Sequence, residues 1–380
     1  MTVQKTLSDL VAIDSVSSRS NSTIVDYLAE RCSAMGLTTQ RLPYRDAMDV
    51  EKTNLLALSG AEFSAHASDQ TTVELALVGH TDTVPYDPNW NEALHLTERE
   101  GKLLGRGACD TKAFIAASLT AIETLDLKSL RRPLALVFTA DEEIGLIGAK
   151  RLAQARALRS RYAIVGEPTS LKPMRAGKGY CLAEITIKGR EAHSAYPSLG
   201  SSAVFGAARL IAAIETIAAR LETEQHAAFD PAHTTLNVGL LHGGTAKNVI
   251  PGECRFTLEW RPIPGQDPKR LLNLLDEAIA EQKRRDPEFI CEVDAARADE
   301  GFETAPESPL VTLLEKLTGN AAGTVAFGTE AAQLMELGAE AVVLGPGNIR
   351  VAHRTGEFVP AAELETCVTV LTQAIVRLCA

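Results

Sequence analysis

Two histidines and a set of carboxylates follow short apolar runs that read as buried strands. Those residue types together could hold metal ions and move a proton. The run 75–79 ends at His80-Thr81-Asp82, the run 134–140 leads into Asp141-Glu142-Glu143, and the run 162–166 ends at Glu167. The run 341–347 leads within a few residues to Ala352-His353. Asp110 closes a glycine-studded turn, Gly105-Arg-Gly-Ala-Cys-Asp110, just ahead of a helical pattern. In an open α/β sheet, ligands gather beyond the carboxyl ends of the strands. The spacing therefore predicts that these residues meet in one cleft. Two imidazoles among carboxylates that can bridge suit a pair of zinc-like ions.

Residues two apart on a strand point the same way. His80 can thus offer one ring nitrogen to a metal while Asp82 takes the other N–H and fixes the tautomer. Taken alone, His-x-Asp also fits a histidine satisfied in a loop; the other strand ends argue against that. Asp110, with two oxygens, can bridge ions about 3.5–4 Å apart. Glu142 and Glu143 need separate roles. One can ligate, and the other can take a proton from water whose pKa a metal lowers to about 7. By itself the acidic triplet would fit an exposed turn, and Glu167 before Pro168 would fit a β-turn with a solvated acid.

The elements that must position these groups alternate between strand and helix. Ile24, Tyr27, Leu28, Cys32 and Met35 recur at helical spacing behind a cap at Asn21 or Ser22, and Gly36 ends the helix. A second helix from about Thr111 carries Ile115, Leu119 and Ile122 on one face. With apolar strands in between, the pattern predicts an α/β fold, a mainly parallel sheet with helices on both faces. The pattern changes near Gly179. Cys181, Ala183, Ile185 and Ile187 alternate with Glu184, Thr186 and Lys188, as in an antiparallel sheet with one wet face. A helix over 201–221, strands at 235–242 and 249–260, a helix over 268–284 and a strand at 288–293 complete the order βαββαβ. That order is the ferredoxin-like arrangement. Beyond 299–301 the α/β pattern returns with a helix near 310–317, a strand at 341–344 and a closing helix from Ala361. The expected organisation is a catalytic domain in two parts, 1–178 and 297–380, interrupted by an inserted α+β domain, 179–296.

At 380 residues the chain is long enough for two domains, and 45% hydrophobic with 23% charged content is ordinary for a globular protein. A net charge of −11 argues against nucleic acid or an anionic membrane as partner, since both need basic patches. Seven cysteines, odd in number and without a Cys-x-x-Cys, suggest neither a disulfide framework nor a thiolate zinc site. The opening residues have no apolar signal core, and no run approaches the ~18 residues of a membrane span. The cytoplasm is the expected compartment.

Taken together, five segments resemble the motifs of the M20 metallopeptidases, with similarity from end to end of the chain. They are Val78-Gly-His80-Thr-Asp82-Thr-Val-Pro, Asp141-Glu142-Glu143, Gly166-Glu167-Pro168-Thr-Ser, Gly243-Gly-Thr-Ala-Lys-Asn248-Val-Ile-Pro and Leu344-Gly-Pro-Gly-Asn-Ile-Arg-Val-Ala-His353. The resemblance implies two divalent ions, zinc first, with cobalt or manganese as substitutes. By the same resemblance His80 and Glu167 bind one ion, Glu143 and His353 bind the other, and Asp110 bridges both. Asp82 orients His80, Glu142 is the general acid/base, and the peptide bond after Asp110 is expected to be cis. The inserted domain is expected to serve as a lid and to join two chains in a homodimer. His193, in Gly189-Arg-Glu-Ala-His193-Ser, is given the polarisation of the scissile carbonyl, often across the dimer. Asn248 and Arg261 are given substrate contact, Arg261 by bidentate grip on an α-carboxylate. Without the resemblance, His193 reads as a surface-loop histidine and Arg261 as a charge at a sheet end.

The implied activity is hydrolysis of the amide of an Nα-acyl amino acid, a small molecule. Gly328-Thr-Glu330-Ala-Ala is similar to the family's deacetylases, where its diaminopimelate desuccinylases more often read Thr-Ser-Asp-Gly. Glu330 could then pair with the cationic side chain of N-acetyl-L-ornithine. N-acetylcitrulline, N-acetylmethionine and succinyl-diaminopimelate are the alternatives. Two segments depart from the family pattern: Asp110-Thr-Lys-Ala113 stands where Asp-Met-Lys-Gly is common, and Gly177-Lys178-Gly179 where His-Lys-Gly is common. Neither departure removes a metal ligand; both bear on the shape of the pocket. Other readings fare worse. A non-catalytic metal-binding protein of the same fold would be marked by loss of Glu142, which is present. A cysteine hydrolase using Cys109 has Asp110 beside its thiol and no spare histidine to activate it. A nucleotide loop at Gly105-x-Gly107 lacks its third glycine.

Overall fold

The computed structural model describes residues 1–60 and 71–380, which group into two compact units. The first comprises Met1–Arg175, Glu303–Gly323 and Thr329–Ala380; the second comprises Ala176–Phe302 and Thr324–Gly328.

In the first unit six strands carry the site. Their order across the sheet is Thr38–Arg45, Glu51–Ser59, Leu134–Thr139, Thr71–His80, Leu158–Val165, Glu340–Val343. The last four run parallel. Thr38–Arg45 pairs antiparallel with Glu51–Ser59, which pairs antiparallel with Leu134–Thr139. The sheet is therefore mixed, which corrects the mainly parallel sheet that the pattern predicts. The cause is a short connection. Only residues 46–50 join the first two strands, and a parallel pair needs a crossover of about a dozen residues or more. Asp46 builds that turn, its Oδ1 accepting the N–H groups of Met48 and Val50 at 2.8 and 2.9 Å.

Parallel pairing serves the site by bringing strand ends level. His80 lies opposite Thr139, Val78 opposite Val165, and Val165 opposite Val343. The residues that follow these strands are thus delivered to one end of the sheet.

Under that end runs the helix Lys112–Glu123. Every residue from Lys112 to Ile122 is buried, where the spacing of Ile115, Leu119 and Ile122 predicts a single buried face. A helix that is apolar or small on all sides belongs in the interior. Here the helices Val3–Ala12 and Ala361–Cys379 and the strand Thr71–His80 cover it. The fit is tightest at Gly166, the residue before Glu167, where an added Cβ would lie 2.2 Å from the Phe114 ring. Gly166→Ala is expected to destabilise the protein by about 1–3 kcal/mol through overpacking. Urea unfolding should show a lower midpoint at unchanged slope; an unmoved midpoint would mean that Phe114 yields without cost.

The second unit is built on a four-stranded antiparallel sheet ordered Thr235–Gly243, Glu253–Arg261, Tyr180–Lys188, Ile290–Asp299. With the helices Ala203–Leu221 and Arg270–Arg285 the element order is βαββαβ. The alternation in Tyr180–Lys188 sends Cys181, Ala183, Ile185 and Ile187 into a core shared with Leu210, Ile214 and Leu275. Two boundaries differ from the sequence pattern: the fourth strand runs on to Asp299 and does not stop at 293, and the third strand starts at Glu253 and not near 249. Pro251 has no N–H to give a ladder, so Asn248 lies in the preceding loop and not at a strand end. Among the described residues, no helix is long and apolar enough to cross a membrane.

Candidate metal centre

His80 is the last residue of its strand and is 2% exposed. Its Nδ1 lies 3.0 Å from the backbone oxygen of Asp82. A carbonyl oxygen only accepts, so Nδ1 carries the hydrogen and Nε2 is the ring nitrogen left to a metal. The Asp82 carboxylate stands slightly further off, 3.6 Å from Nδ1. It accepts the Ser17 hydroxyl at 2.7 Å and the N–H groups of Glu142 and Glu143 at 3.1 and 3.3 Å. Orientation of the histidine thus falls to the Asp82 main chain, and its carboxylate ties down the acidic turn.

Asp110 is held from behind. The N–H groups of Cys109 and Asp110 donate to Glu357 Oε1 at 2.9 and 3.1 Å, and Arg106 pairs with the same carboxylate. The Asp110–Thr111 peptide bond is cis, as the family resemblance implies. The Thr111 hydroxyl then donates to the Gly166 carbonyl at 2.8 Å, which joins the Asp110 turn to Glu167.

These anchors bring five ligand-type residues into two triads. His80, Asp110 and Glu167 form one, and Asp110, Glu143 and His353 form the other, with one donor atom from each residue within 4.8 Å of the rest. Asp110 belongs to both. Its Oδ1 is 3.1 Å from His80 Nε2 and its Oδ2 is 3.1 Å from His353 Nε2. His353 Nε2 is also 3.0 Å from Glu143 Oε2. His353 has a φ of 60°, a left-handed backbone uncommon for a residue with a side chain. Glu142 is adjacent but belongs to neither triad.

The electrostatics favour cations here. Burial pushes the Glu142 carboxyl well above its usual range, helped by Glu143, Glu330 and Asp110 and eased by His80. Burial does the same at Glu167, helped by Asp110 and Glu142. Glu330, 1% exposed, is pushed up to about 7 by burial, with His80 and the Thr139 hydroxyl pulling the other way. Its Oε1 is buried without a hydrogen-bond partner. Burial opposes charge on His80, yet the neighbouring carboxylates of Asp110, Asp82 and Glu142 prevail and raise it well above the usual imidazole range. Hydrogen bonds to Asp110 and Glu143 lift His353 to about 10. The cluster therefore carries more carboxylates than its two imidazoles can neutralise. One imidazole nitrogen with carboxylate oxygens in each triad is the donor chemistry that zinc-class divalent ions take. The residues fit such a pair of ions.

His193, Asn248 and Arg261 all belong to the second unit. His193 is exposed, and its Nδ1 accepts the Ala195 N–H at 3.1 Å. The structure brings Asn248 next to it: the Ser194 N–H donates to the Asn248 carbonyl at 3.0 Å, and His193 bridges to Val249. Arg261 is not a free sheet-end charge. Its Nε donates to Glu259 at 2.8 Å, its Nη1 to the Ala326 carbonyl at 3.2 Å, and its guanidinium lies 4.7 Å from the Tyr180 ring centre. Cys109 is 1% exposed, and burial, then Glu357 and Asp110, push its thiol far up, away from thiolate chemistry. Sequence reasoning missed Ser17, Glu357 and Arg106, which hold Asp82 and Asp110. No periodicity or motif marks them.

Two imidazole–carboxylate triads sharing one aspartate, set at the ends of parallel strands, define a class: α/β proteins with a cation-ready acidic cluster at that end of the sheet. Comparison with known proteins narrows that class. Residues 76–377 match peptidase family M20/M25/M40, and the chain belongs to this family of hydrolases. It is 50% identical over 378 residues to the acetylornithine deacetylase of Myxococcus xanthus, spanning 99% of this chain and 97% of that one. To the acetylornithine deacetylase of Proteus mirabilis it is 36% identical over 371 residues, 97% and 93% of the two chains. Among solved structures, a tripeptidase from Staphylococcus aureus superposes with a TM-score of 0.79 at 23% identity, over 99% of this chain and 97% of that one. An M20 family metallo-carboxypeptidase from Sulfolobus solfataricus gives 0.75 at 18% identity, over 100% and 99%. These two share the fold.

Proposed function

We propose that this chain hydrolyses the amide of N-acetyl-L-ornithine to L-ornithine and acetate. One observation carries the reading: Asp110 is shared by two cation-type triads with Glu142 beside them, in a chain 50% identical along its length to a protein named acetylornithine deacetylase. In this reading His80, Asp110 and Glu167 would hold one divalent ion and Asp110, Glu143 and His353 the other, zinc first and cobalt or manganese as substitutes. Bound there, the ions supply Lewis-acid polarisation of the amide carbonyl and of the attacking water.

Glu142 takes a proton onto a carboxylate oxygen as the new C–O bond forms. It returns that proton to the leaving nitrogen as the C–N bond breaks. A carboxyl raised by burial and by neighbouring acids suits a group that must hold a proton between two steps. Asp82 keeps the hydrogen on His80 Nδ1 and fixes the turn that carries Glu142. Arg261 is assigned to the α-carboxylate of the substrate and Asn248 to substrate contact. Glu330, with its unpaired oxygen, is assigned to the side-chain ammonium. His193 donates to the carbonyl oxygen as that atom gains charge. The inserted domain is the lid in this reading and joins two chains as a homodimer.

Amine release from a panel of Nα-acyl amino acids, with zinc- or cobalt-loaded protein, tests the activity. N-acetyl-L-ornithine is expected to give the highest kcat/KM. A higher value for N-acetylcitrulline, N-acetylmethionine or succinyl-diaminopimelate would reassign the substrate, and no release from any of them would overturn the activity.

For His193, the expectation is a kinetic signature. Loss of one oxyanion donor costs on the order of 10²–10³-fold in kcat, so His193→Ala should lower kcat more than it raises KM, with metal content intact. If His193 acts across the dimer, mixed dimers of His193→Ala and Glu142→Ala chains should regain activity. A demonstrated heterodimer with no recovery would confine His193 to its own chain.

A further inference from the structure

Lys52 is a charged residue of the first unit, second in the strand Glu51–Ser59, and it is 1% exposed. Its Nζ donates to the Ser17 carbonyl, to the Arg19 carbonyl at 2.8 Å and to Asp141 Oδ1 at 2.8 Å. Asp141 is 0% exposed and accepts the Tyr44 hydroxyl on its other oxygen at 2.9 Å. Its φ of 56° is left-handed, a backbone that residues with side chains seldom adopt and that a firm anchor must maintain. That turn aims the next two N–H groups, of Glu142 and Glu143, at the Asp82 carboxylate. Asp82 also accepts the Ser17 hydroxyl, and the Ser17 carbonyl leads back to Lys52. The contacts close a ring, Lys52 to Asp141 to Glu142 to Asp82 to Ser17 and back, and it stands directly behind Glu142.

We infer that Lys52 is a positioning residue for the reaction: through Asp141 it sets where the Glu142 carboxyl stands. The inference rests on the proton-carrying role proposed for Glu142. The rival account is that Lys52 only neutralises a buried aspartate. The two accounts part in a double variant. Lys52→Met leaves the Asp141 charge buried without its cation, so its Tm should fall; Lys52→Met/Asp141→Asn removes both charges and should regain most of that Tm. Under the rival account the double variant regains kcat as well. Under positioning, its kcat stays on the order of 10–100-fold below wild type, as for other residues that act through a second side chain, with KM nearly unchanged. Hydrogen exchange read by mass spectrometry gives a measure independent of substrate: in the double variant the amides of residues 140–146 should exchange about tenfold faster or more.

Glu142→Gln in the same assay separates the two ways of failing. If it turns over like wild type, the proton role of Glu142 is wrong, and the exchange rates alone judge Lys52. If it is inactive while the double variant has wild-type kcat, Lys52 does not position Glu142. Wild-type protection of residues 140–146 in the double variant overturns the inference in either case.

Discussion

Glu142→Ala is expected to lower kcat by on the order of 10²–10⁴-fold, the worth of a positioned general base, while both metal ions stay bound. The reason is its place. Glu142 belongs to neither triad, yet His80, Glu143, Glu330 and Asp110 all act on its charge. Its neighbour behaves differently: Glu143 Oε2 is 3.0 Å from His353 Nε2, inside the second triad. Glu143→Ala should therefore lose metal, and activity with it. Steady-state kinetics together with metal analysis of each variant decide the matter. The opposite pattern, metal lost from Glu142→Ala and retained in Glu143→Ala, would exchange the two roles.

Asp110→Ala is expected to empty both triads at once and to abolish turnover, because this carboxylate has one oxygen toward each histidine. Chelation of the wild-type protein should do the same, and zinc, cobalt or manganese should restore it. Full activity after chelation would sink the proposal that metal is needed. The chelated protein should also carry a pH signature. The folded Glu330 value of about 7 lies above the 4.5 of an ordinary glutamate. Between those values the folded state binds more protons than the unfolded one, so stability falls as pH rises through that window. Glu142 and Glu167 are shifted in the same direction and add to the trend. Tm of the chelated protein should drop from pH 5 to pH 7.5, roughly the span of those shifts, and bound zinc should flatten the drop. A flat profile without metal would show that the acids do not strain the fold.

The residues that form the two triads were legible because four of the strands are buried on both faces and read as continuous apolar runs. Each run stops where His80, the Asp141 turn, Glu167 or the loop to His353 begins. Spacing alone could not divide the labour between Glu142 and Glu143; that came from the family resemblance. What escaped had no pattern to give. Thr38–Arg45 is an edge strand without a buried residue, and Pro43 lies inside it, so neither alternation nor an apolar run marks it. Lys52 and Asn54 interrupt the apolar character of the next strand while being buried themselves. The helix Ile147–Ala155 opens from Leu146 in a left-handed conformation, without a capping side chain. Glu357 binds main-chain groups 248 and 247 residues away, a partnership with no local trace. The helix Val3–Ala12 is a different case: Val3, Leu7, Leu10 and Val11 behind a Thr2 cap do leave a helical pattern in the sequence.

The first unit is interrupted between Arg175 and Glu303, and this has a consequence for how the protein is made. A ribosome delivers His80, Asp110, Glu143 and Glu167 early and His353 late. The helix Ala361–Cys379, which covers the interior helix Lys112–Glu123, comes later still. Until it emerges, a helix buried on every side in the finished fold has one side uncovered. The acids of the cluster meanwhile stand with a single imidazole. Long-range closure of this kind is slow and leaves apolar surface open to association. A nascent chain stalled before His353 should therefore be a client of holding chaperones, with no partial activity to show for the four ligands it already carries.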